Sequence, residues 1–313
     1  MSKPNIVILG AGGVGGYFGA RLIEHNAAHV TFLAREARKA ILMRDGLSVK
    51  SPFGDIERMP VVARTSSEIA GTAPDYLLLT CKAYDLDAAM ETIAPVLGPS
   101  TAIVPLLNGI AHIERLNQRF SRDQVLPGNV SLQVRQNADG TIEHRNEWQF
   151  FTVGEQDGSV SERVQRLVDA LAAAKVTPSA SPEIMQKMWE KIVMLATLAA
   201  MTTLMRANVG AIASAPGGSK LSHAMLELNA AAAAHAGYPI TESQLDQWRQ
   251  IFSDTSSTFA ASMLSDMQRG GPVEADHIVG YMLERVHEAG FDTTLHGIAY
   301  TNLKVYEASR NAT

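Results

Sequence analysis

Short apolar and β-branched runs alternate with helix-like stretches over the first half of the chain. Each run has the length and residue types of a buried strand. Alternation of this kind is typical of parallel strands joined by crossover helices. We therefore expect an α/β fold, a Rossmann-type doubly wound sheet, in this half. The predicted strands are Ile6–Leu9, His29–Leu33, Tyr76–Thr80, Ala102–Leu107 and Val125–Pro127.

Two stretches in the same half have turn residues between short alternating segments. Residues 46–62 contain Pro52-Phe-Gly-Asp55, and a second polar segment contains Asn137-Ala-Asp-Gly140. Such turn residues between apolar positions favour β-hairpins. We expect both hairpins to add antiparallel edge strands to the sheet.

Strand signals stop after Ser179-Ala-Ser-Pro182, and the rest of the chain has helical periodicity with Gly or Pro between segments. Thr241-Glu-Ser-Gln244 resembles a capping box. We predict two domains, residues 1–180 for a dinucleotide and residues 181–313, all helical, for substrate and catalysis. The predicted helices are Glu183–Leu204, Ser219–Ala236, Thr241–Phe252, Ser256–Gln268, Glu274–Ala289 and Thr293–Glu307.

A cluster of glycines follows the first predicted strand. The pattern Gly-x-Gly-x-x-Gly between a strand and a helix is typical of dinucleotide binding. The first glycine makes the turn, the second lets backbone N–H groups approach a pyrophosphate, and the third permits close helix–strand packing. The pyrophosphate then lies at the positive end of the helix. A plain strand-to-helix turn would not need three spaced glycines. The predicted cofactor loop contains Gly10, Gly12, Gly13, Val14 and Gly15.

The end of the second strand predicts which dinucleotide binds. NAD-binding proteins usually carry an acid there for the ribose 2'-hydroxyl, whereas NADP-binding proteins place an arginine nearby for the 2'-phosphate. This chain has Arg35 directly after the strand and no acid. A planar guanidinium suits a phosphate, so we expect NADP(H). Arg38 and Lys39, one turn later, could add charge or form a solvated helix face.

Composition narrows the possible partners and compartment. With 46% hydrophobic and 19% charged residues among 313, the chain is globular and long enough for two cores. A net charge of -5 without a basic run argues against nucleic acid or an acidic membrane, so a small-molecule partner is expected. The single Cys81 favours a reducing compartment. Because the first predicted strand begins at Asn5, we expect no signal peptide. We expect a cytoplasmic protein.

The longest apolar run, Ile192–Met205, includes three threonines and favours a buried helix over a membrane span. Together with residues 226–236, it could equally form the surface of a homodimer.

Several polar residues stand where carbonyl reduction would need them. Reduction with a nicotinamide requires a proton donor at the substrate oxygen and groups that hold the substrate. Lys82 and Asn108 follow the third and fourth predicted strands, at the sheet edge where ligands bind. Lys191 borders the apolar part of a predicted helix, Ile192–Leu204, so its side chain either reaches the surface or lies in a cleft. In a cleft, loss of water would lower its pKa and make it a better donor. Helix capping alone would explain Glu274, and we see no His/Cys/acid cluster for a metal.

These segments together resemble the ketopantoate reductase family over essentially the whole chain. The family has the glycine motif, an Arg after the second strand, a Lys ending the third and an Asn-Gly after the fourth. It also has Trp-x-Lys at the start of a long helix, and Ser-Met-x-x-Asp with a Glu twelve residues after the Ser. The order and number of the motifs carry the resemblance. The matching residues are Gly10, Gly12, Gly15, Arg35, Lys82, Asn108, Gly109, Trp189, Lys191, Ser262, Asp266 and Glu274.

The resemblance implies that NADPH reduces a 2-oxo acid, by default 2-dehydropantoate to pantoate as in pantothenate biosynthesis. Lys191 would protonate the developing alkoxide without a metal. Glu274 would hold that lysine or bind the substrate hydroxyl, and it also belongs to the implied cofactor site. Ser262 would bind the carboxylate. Lys82 and Asn108 would bridge the nicotinamide ribose and the substrate.

Four positions that usually carry amides in the family are apolar here, namely Leu107, Leu195, Ala199 and Phe259. Leu195 and Ala199 follow the catalytic lysine on one helical face, so they are predicted to line the substrate site. Asn208 could restore one polar contact. Two alternatives therefore remain: a reductase of the same family for a more apolar 2-oxo acid or ketone, and a protein that senses NADPH without turnover. The retained lysine and glutamate argue against the second.

Overall fold

The computed structural model describes residues 2–311, and the chain forms two compact units. The first comprises Met1–Leu107 and His112–Ile184. The second comprises Asn108–Ala111 and Met185–Thr313. These units are compact parts of the structure and carry no functional assignment. The assignment of residues 1–180 to the cofactor and residues 181–313 to the substrate stays a prediction.

Within the described residues, every strand lies in the first unit. The strands are β1 Asn5–Leu9, β2 His29–Leu33, β3 Leu47–Lys50, β4 Ile56–Met59, β5 Val62–Arg64, β6 Tyr76–Leu79, β7 Ala102–Pro105, β8 Gly128–Ser131, β9 Val134–Gln136, β10 Ile142–His144, β11 Phe150–Val153 and β12 Thr177–Ala180. The α-helices before residue 180 are α1 Gly13–Glu24, α2 Glu36–Asp45, α3 Leu86–Ile93, α4 Ala111–Arg119 and α5 Glu162–Ala173.

Five parallel strands form the main sheet in the order β5-β2-β1-β6-β7. Counted within this sheet alone, the order is 3-2-1-4-5, which is that of a Rossmann sheet. The predicted α/β fold is confirmed. The order reverses between β1 and β6, and a ligand of such a sheet binds outside the carboxyl ends of the strands at that reversal. The glycine loop follows β1, and Lys82 follows β6.

Both predicted hairpins form, but they do not extend the main sheet. They build a separate sheet of order β4-β3-β10-β9, in which β3 and β10 pair in parallel. Its apolar face contacts α1, where Ile142 is fully buried. A Cβ at Gly16 would lie 2.2 Å from Ile142 Cδ1, so a glycine is needed at this crossing. The predicted edge strands were therefore wrong, because burial of this apolar face required α1 rather than a sheet edge.

A third sheet, β12-β11-β8, was not predicted. Its strand β12 includes Pro178 and pairs in parallel with β11 as an edge strand, a position that tolerates proline. The predicted strand Val125–Pro127 reduces to one bridge between Ile103 and Val125. Pro127 lacks the N–H that would continue the ladder.

The second unit is helical, as predicted. Thr241 caps α9 by accepting a hydrogen bond from Gln244 N at 3.3 Å, so the capping prediction is confirmed for this half of the box. The helices are α6 Ile184–Met205, α7 Val209–Ser214, α8 Gly218–His235, α9 Glu242–Ile251, α10 Ser262–Gln268, α11 Tyr281–Glu288 and α12 Thr294–Asn311.

One helix prediction was too long, and another helix has an unexpected first turn. Residues 256–261 are not helical, and their carbonyls accept hydrogen bonds from the start of α7: Val209 N donates to Phe259 O, and Gly210 N donates to Ser257 O. The segment from Glu274 begins with a π-helical turn, Asp276–Gly280, before α11. At residues 256–261, contacts with α7 replace the local helical pattern, whereas the helix predicted from Glu274 forms and is continuous from Ala275 into α11.

Helix α6 is long and apolar enough to cross a membrane by length and composition, but 67% of its most apolar window is buried in the protein. Residues such as Ile192 and Val193 on α6 and Leu226 on α8 are almost fully buried. These stretches therefore form core rather than the exposed dimer surface that was the other possibility.

Candidate active site

The glycine loop has the geometry that the dinucleotide pattern requires. Gly10 has φ +101°, a conformation that other residues rarely adopt. A Cβ at Gly15 would lie 2.2 Å from Gly10 O, so only glycine permits this approach of α1 to β1. Gly12 caps α1, and a Cβ there would have nothing within 4 Å. The space beside Gly12 therefore suits the close approach of a pyrophosphate.

Thr80 stabilises this loop through its hydroxyl group. The sequence had placed it only at the end of a predicted strand. Its Oγ1 donates to Leu9 O at 2.8 Å and lies 3.1 Å from Gly10 O. It would also lie 2.4 Å from a Cβ at Gly15. The sequence shows that a hydroxyl residue follows the neighbouring strand. It does not show that this hydroxyl bonds to the backbone at the end of β1.

The loop is also contacted from its outer side. A Cβ at Gly13 would lie 3.2 Å from Val134 Cγ2 on β9, and Val14 is partly buried against the core of this unit. Both residues were predicted in the cofactor loop. The hairpin β9–β10 therefore forms one wall of that loop.

The three basic residues near the end of β2 have different surroundings. Arg35 is exposed and stands at the N-cap of α2. Arg38 is partly buried and donates to Ala11 O at 3.1 Å, and this burial lowers its pKa. Lys39 pairs with Glu68 at 2.6 Å. The solvated-face explanation is thus wrong for Arg38, whereas Arg35 is the most exposed of the three.

Lys82 lies where the sequence placed it, just past the end of β6. It is exposed and starts a short 3-10 turn, Ala83–Asp85. Its backbone is still extended, and it lies three residues beyond Leu79, the last paired residue of β6, at the carboxyl edge of the sheet. This edge is the one at which a Rossmann sheet binds its ligand.

Asn108 and Gly109 belong by their contacts to the second unit. Gly109 has φ +91°, and a Cβ there would lie 3.0 Å from His277 O and 3.2 Å from Ile278 Cδ1. The glycine therefore serves close packing against the π-helical turn, and it fixes the backbone on which Asn108 is presented. Asn108 is partly exposed.

Lys191 lies in the second turn of α6 and is partly buried. Burial lowers its pKa from 10.5 to about 8, because desolvation disfavours the charged form. Trp189, two residues earlier, is buried and stacks on Tyr238 with ring centroids 5.7 Å apart. The aromatic packing holds this end of the helix, and the lowered pKa brings the lysine closer to neutral pH than an ordinary lysine.

Helix α6 continues unbroken from Ile184 to Met205. Leu195 and Ala199 follow Lys191 by four and eight residues, so all three share one helical face. Leu195 is partly exposed, while Ala199 is 4% exposed. The face beside the lysine is therefore apolar.

Ser262 is exposed and begins α10. The preceding residue, Ala261, donates its N–H to Thr202 Oγ1 at 3.4 Å, and that hydroxyl donates to Leu198 O at 2.7 Å. Thr202 is fully buried on the same helix as the lysine. The start of α10 is thus tied to α6. Glu274 is partly buried and precedes the π-helical turn.

Asn208 has a structural role that the sequence did not reveal. Its Oδ1 accepts a hydrogen bond from Ala211 N at 2.9 Å and caps α7, so one of the two lone pairs of this oxygen is already used. Of the other positions that departed from the family, Phe259 is 39% exposed and Leu107 is 5% exposed. Leu107 is therefore a core residue of the first unit.

Among residues 2–311, no group of three or more His, Cys, Asp or Glu side chains could hold a metal ion. A Rossmann sheet with this glycine loop, followed by a helical unit carrying a lysine of lowered pKa, has the organisation of a two-domain dehydrogenase. The protein is thus of the dinucleotide-dependent oxidoreductase class.

Comparison with known proteins narrows this class. The model of the family described as Ketopantoate reductase PanE/ApbA matches residues 6–158, and the model of its C-terminal domain matches residues 183–307. The chain belongs to the ketopantoate reductase family, whose members are NAD(P)H-dependent oxidoreductases of small 2-oxo acids.

Relatives cover nearly the full length. The Bacillus subtilis protein named Uncharacterized oxidoreductase YkpB is 30% identical over 97% of this chain and 99% of its own. A 2-dehydropantoate 2-reductase of Mesorhizobium japonicum is 29% identical over 89% and 90%. The structure of 2-dehydropantoate 2-reductase from Methylococcus capsulatus superposes with TM-score 0.87 at 25% identity, covering 99% and 98%. D-mandelate dehydrogenase with NADH and anilino(oxo)acetate, at 18% identity, TM-score 0.84 and coverage of 98% and 99%, shares the fold.

Proposed function

We propose that this protein is an NADPH-dependent reductase that converts a 2-oxo acid to a 2-hydroxy acid, with 2-dehydropantoate as the default substrate and pantoate as the product. The observation that carries the proposal is Lys191, whose pKa is lowered by burial to about 8 at the head of an apolar helix. A lysine of this pKa is still mostly protonated at neutral pH and releases its proton more readily than an ordinary one. The family assignment leaves no reason to retain the sensor alternative.

The glycine loop and Arg35 support the choice of cofactor. Open space beside Gly12 fits a pyrophosphate, and the exposed Arg35 fits a 2'-phosphate. NADPH, when bound, supplies the hydride. Gly10, Gly13, Val14 and Gly15 shape its binding loop.

The chain's own residues then have separate tasks. Lys191 donates a proton to the carbonyl oxygen of the substrate and stabilises negative charge on it. Glu274 orients that ammonium or accepts from the substrate hydroxyl. Ser262 donates to the substrate carboxylate, while Lys82 and Asn108 hold the nicotinamide ribose and the substrate.

A second candidate keeps the reaction and changes the substrate to a more apolar 2-oxo acid. It is favoured by the apolar face of α6, where Leu195 is accessible four residues after Lys191. A side chain of this kind gives the 4-hydroxyl of 2-dehydropantoate no hydrogen-bond partner, and each unpaired polar group costs about 1 to 3 kcal/mol. Asn208 offers such a hydroxyl its amide NH2 and the remaining lone pair of its Oδ1.

The test is to measure NADPH oxidation with each of a panel of 2-oxo acids. The reaction is monitored as the loss of the absorbance of the reduced nicotinamide. The decisive pair is 2-dehydropantoate and 2-oxoisovalerate, which lacks the hydroxymethyl group that carries the 4-hydroxyl. Reduction of either supports the proposal, and their ratio of kcat/KM decides between the two candidates. Absence of oxidation with every 2-oxo acid would overturn both.

The remaining proposals concern context. We propose that residues 1–180 bind the cofactor, that residues 181–313 bind the substrate, and that the protein acts in the cytoplasm. The single cysteine of the chain supports the last. A homodimer is a prediction that sedimentation would test.

A further inference from the structure

The carbonyl of Ala11, inside the glycine loop, receives hydrogen bonds from two separate elements. Arg38 Nη2 on α2 lies 3.1 Å from this oxygen, and Gln136 Nε2 at the end of β9 lies 3.2 Å from it. Ala11 is 5% exposed. A carbonyl oxygen has two lone pairs, so two donors fix its direction more firmly than one.

The two donors are themselves held in place. Gln136 pairs with Ile142 in the β9–β10 ladder, and its Nε2 also lies 3.3 Å from Gly140 O in the hairpin turn. Arg38 lies beneath that turn, since a Cβ at Gly140 would be 4.0 Å from Arg38 Nη1. The hairpin and α2 therefore converge on one loop atom.

The direction of this carbonyl also sets the direction of an N–H. In a planar trans peptide, the C=O of one residue and the N–H of the next point in opposite directions. Fixing Ala11 O toward Arg38 and Gln136 therefore fixes the N–H of Gly12 on the opposite side. Gly12 is the second glycine of the motif, whose backbone approaches the pyrophosphate, and the space beside it is open.

We propose that Arg38 and Gln136 are positioning residues for the cofactor: they hold the Ala11–Gly12 peptide so that the Gly12 N–H points toward the pyrophosphate. The charge on Arg38 also polarises this peptide and strengthens its N–H as a donor. Because NADPH and NADH share the pyrophosphate, Arg38 and Gln136 should affect the binding of both cofactors. Arg35, by contrast, acts on the 2'-phosphate that only NADPH has. The inference rests on the proposed cofactor binding.

The experiment measures the Kd of NADPH and of NADH by calorimetric titration for wild type, Arg38→Met, Gln136→Met and Arg35→Ala. We expect Arg38→Met to weaken both cofactors by about tenfold, the lower end for a charged hydrogen bond, and Gln136→Met by about threefold. Arg35→Ala should weaken NADPH selectively. Lys39→Met is the matched control, because it removes the same charge from the same helix while its partners are Glu68 and Glu36; its Kd values should stay within about twofold of wild type.

Thermal unfolding of each variant separates positioning from folding, since titrations are run well below the unfolding midpoint. Arg38→Lys, which retains a donor and the charge, should recover part of the affinity. A loss confined to NADPH would make Arg38 a 2'-phosphate contact and overturn the inference, as would unchanged Kd values in both Met variants. If Arg38→Met does not fold, Gln136→Met decides alone. Failure of the wild type to bind either cofactor would instead reject the proposed function, and the inference with it.

Discussion

Replacement of Lys191 by methionine should lower kcat sharply and stabilise the fold. Burial lowers the pKa of this lysine from 10.5 to about 8. A difference of roughly 2.5 pKa units corresponds to about 3 kcal/mol at most, since each unit is about 1.4 kcal/mol. The folded protein bears this cost in full below the folded pKa, because there it must hold a charged, desolvated ammonium. Methionine fills a similar volume without charge.

The pH dependence has a definite sign. Between pH 8 and pH 10.5 the unfolded chain still binds a proton at Lys191 that the folded protein has released. Stability contributed by this residue therefore rises with pH through that window. The advantage of Lys191→Met over wild type should be largest at or below pH 8 and should vanish by pH 10.5.

The assay combines urea unfolding of wild type and Lys191→Met at both ends of the window with steady-state kinetics. We expect a gain of about 1 to 3 kcal/mol at pH 8 and a fall in kcat of roughly 100-fold or more, with NADPH affinity nearly unchanged. Lys187→Met is the control, since Lys187 is exposed on the same helix and should change neither quantity. A destabilised variant, or one that retains turnover, would refute the reasoning.

Three further predictions concern the cofactor, the substrate and acid stability. Arg35→Ala should weaken NADPH binding by about 10- to 100-fold and NADH binding much less, because only NADPH has the 2'-phosphate; calorimetric titration measures both. Wild type should reduce 2-oxoisovalerate with kcat/KM at least comparable to that for 2-dehydropantoate, and Leu195→Asn should shift the ratio toward 2-dehydropantoate by giving its hydroxyl a partner. His296 is 1% exposed, and burial lowers its pKa from 6.5 to about 4. Unfolding free energy should therefore fall between pH 6.5 and pH 4, by up to about 3 kcal/mol, and this fall should be smaller in His296→Gln.

The surroundings of His296 explain why protonation of its ring should destabilise the folded protein. Asn229 Nδ2 donates to Thr197 Oγ1, so the Asn229 oxygen faces His296 Nε2 at 2.8 Å and accepts a hydrogen bond from its N–H. Nδ1 is buried without a hydrogen-bond partner among the described residues, and protonation would leave an N–H unsatisfied there. His235→Gln, at an exposed site, should leave the acid profile unchanged; if His296→Gln gives the same profile as wild type, the buried network is not the cause.

Matched variants also test the first two of these predictions. Arg44→Ala removes a positive charge from the same helix, but Arg44 pairs with Asp45, and it should not alter NADPH binding. If Arg35→Ala lowers the affinities for NADPH and NADH equally, Arg35 does not bind the 2'-phosphate. A clear preference of wild type for 2-dehydropantoate would mean that its hydroxyl has a partner other than the α6 face.

The sequence by itself determined the features that depend on local pattern. The strands β1, β2 and β6, the long helix α6 and the glycine loop were predicted close to their observed bounds, since backbone periodicity and the steric needs of glycine act over a few residues. The position of Lys191 at the head of an apolar helix was equally readable. Family membership followed from the order of such motifs.

Only the tertiary structure decided the features that depend on partners distant in sequence. The hairpins pack on α1 rather than on the sheet edge, and residues 256–261 bond to α7 instead of continuing a helix. Arg38 and Lys39 are adjacent and equally basic, yet one contacts the glycine loop and the other pairs with Glu68. The lowered pKa of Lys191 likewise results from burial by surrounding residues, because desolvation is set by what surrounds a group in space and not by its neighbours along the chain.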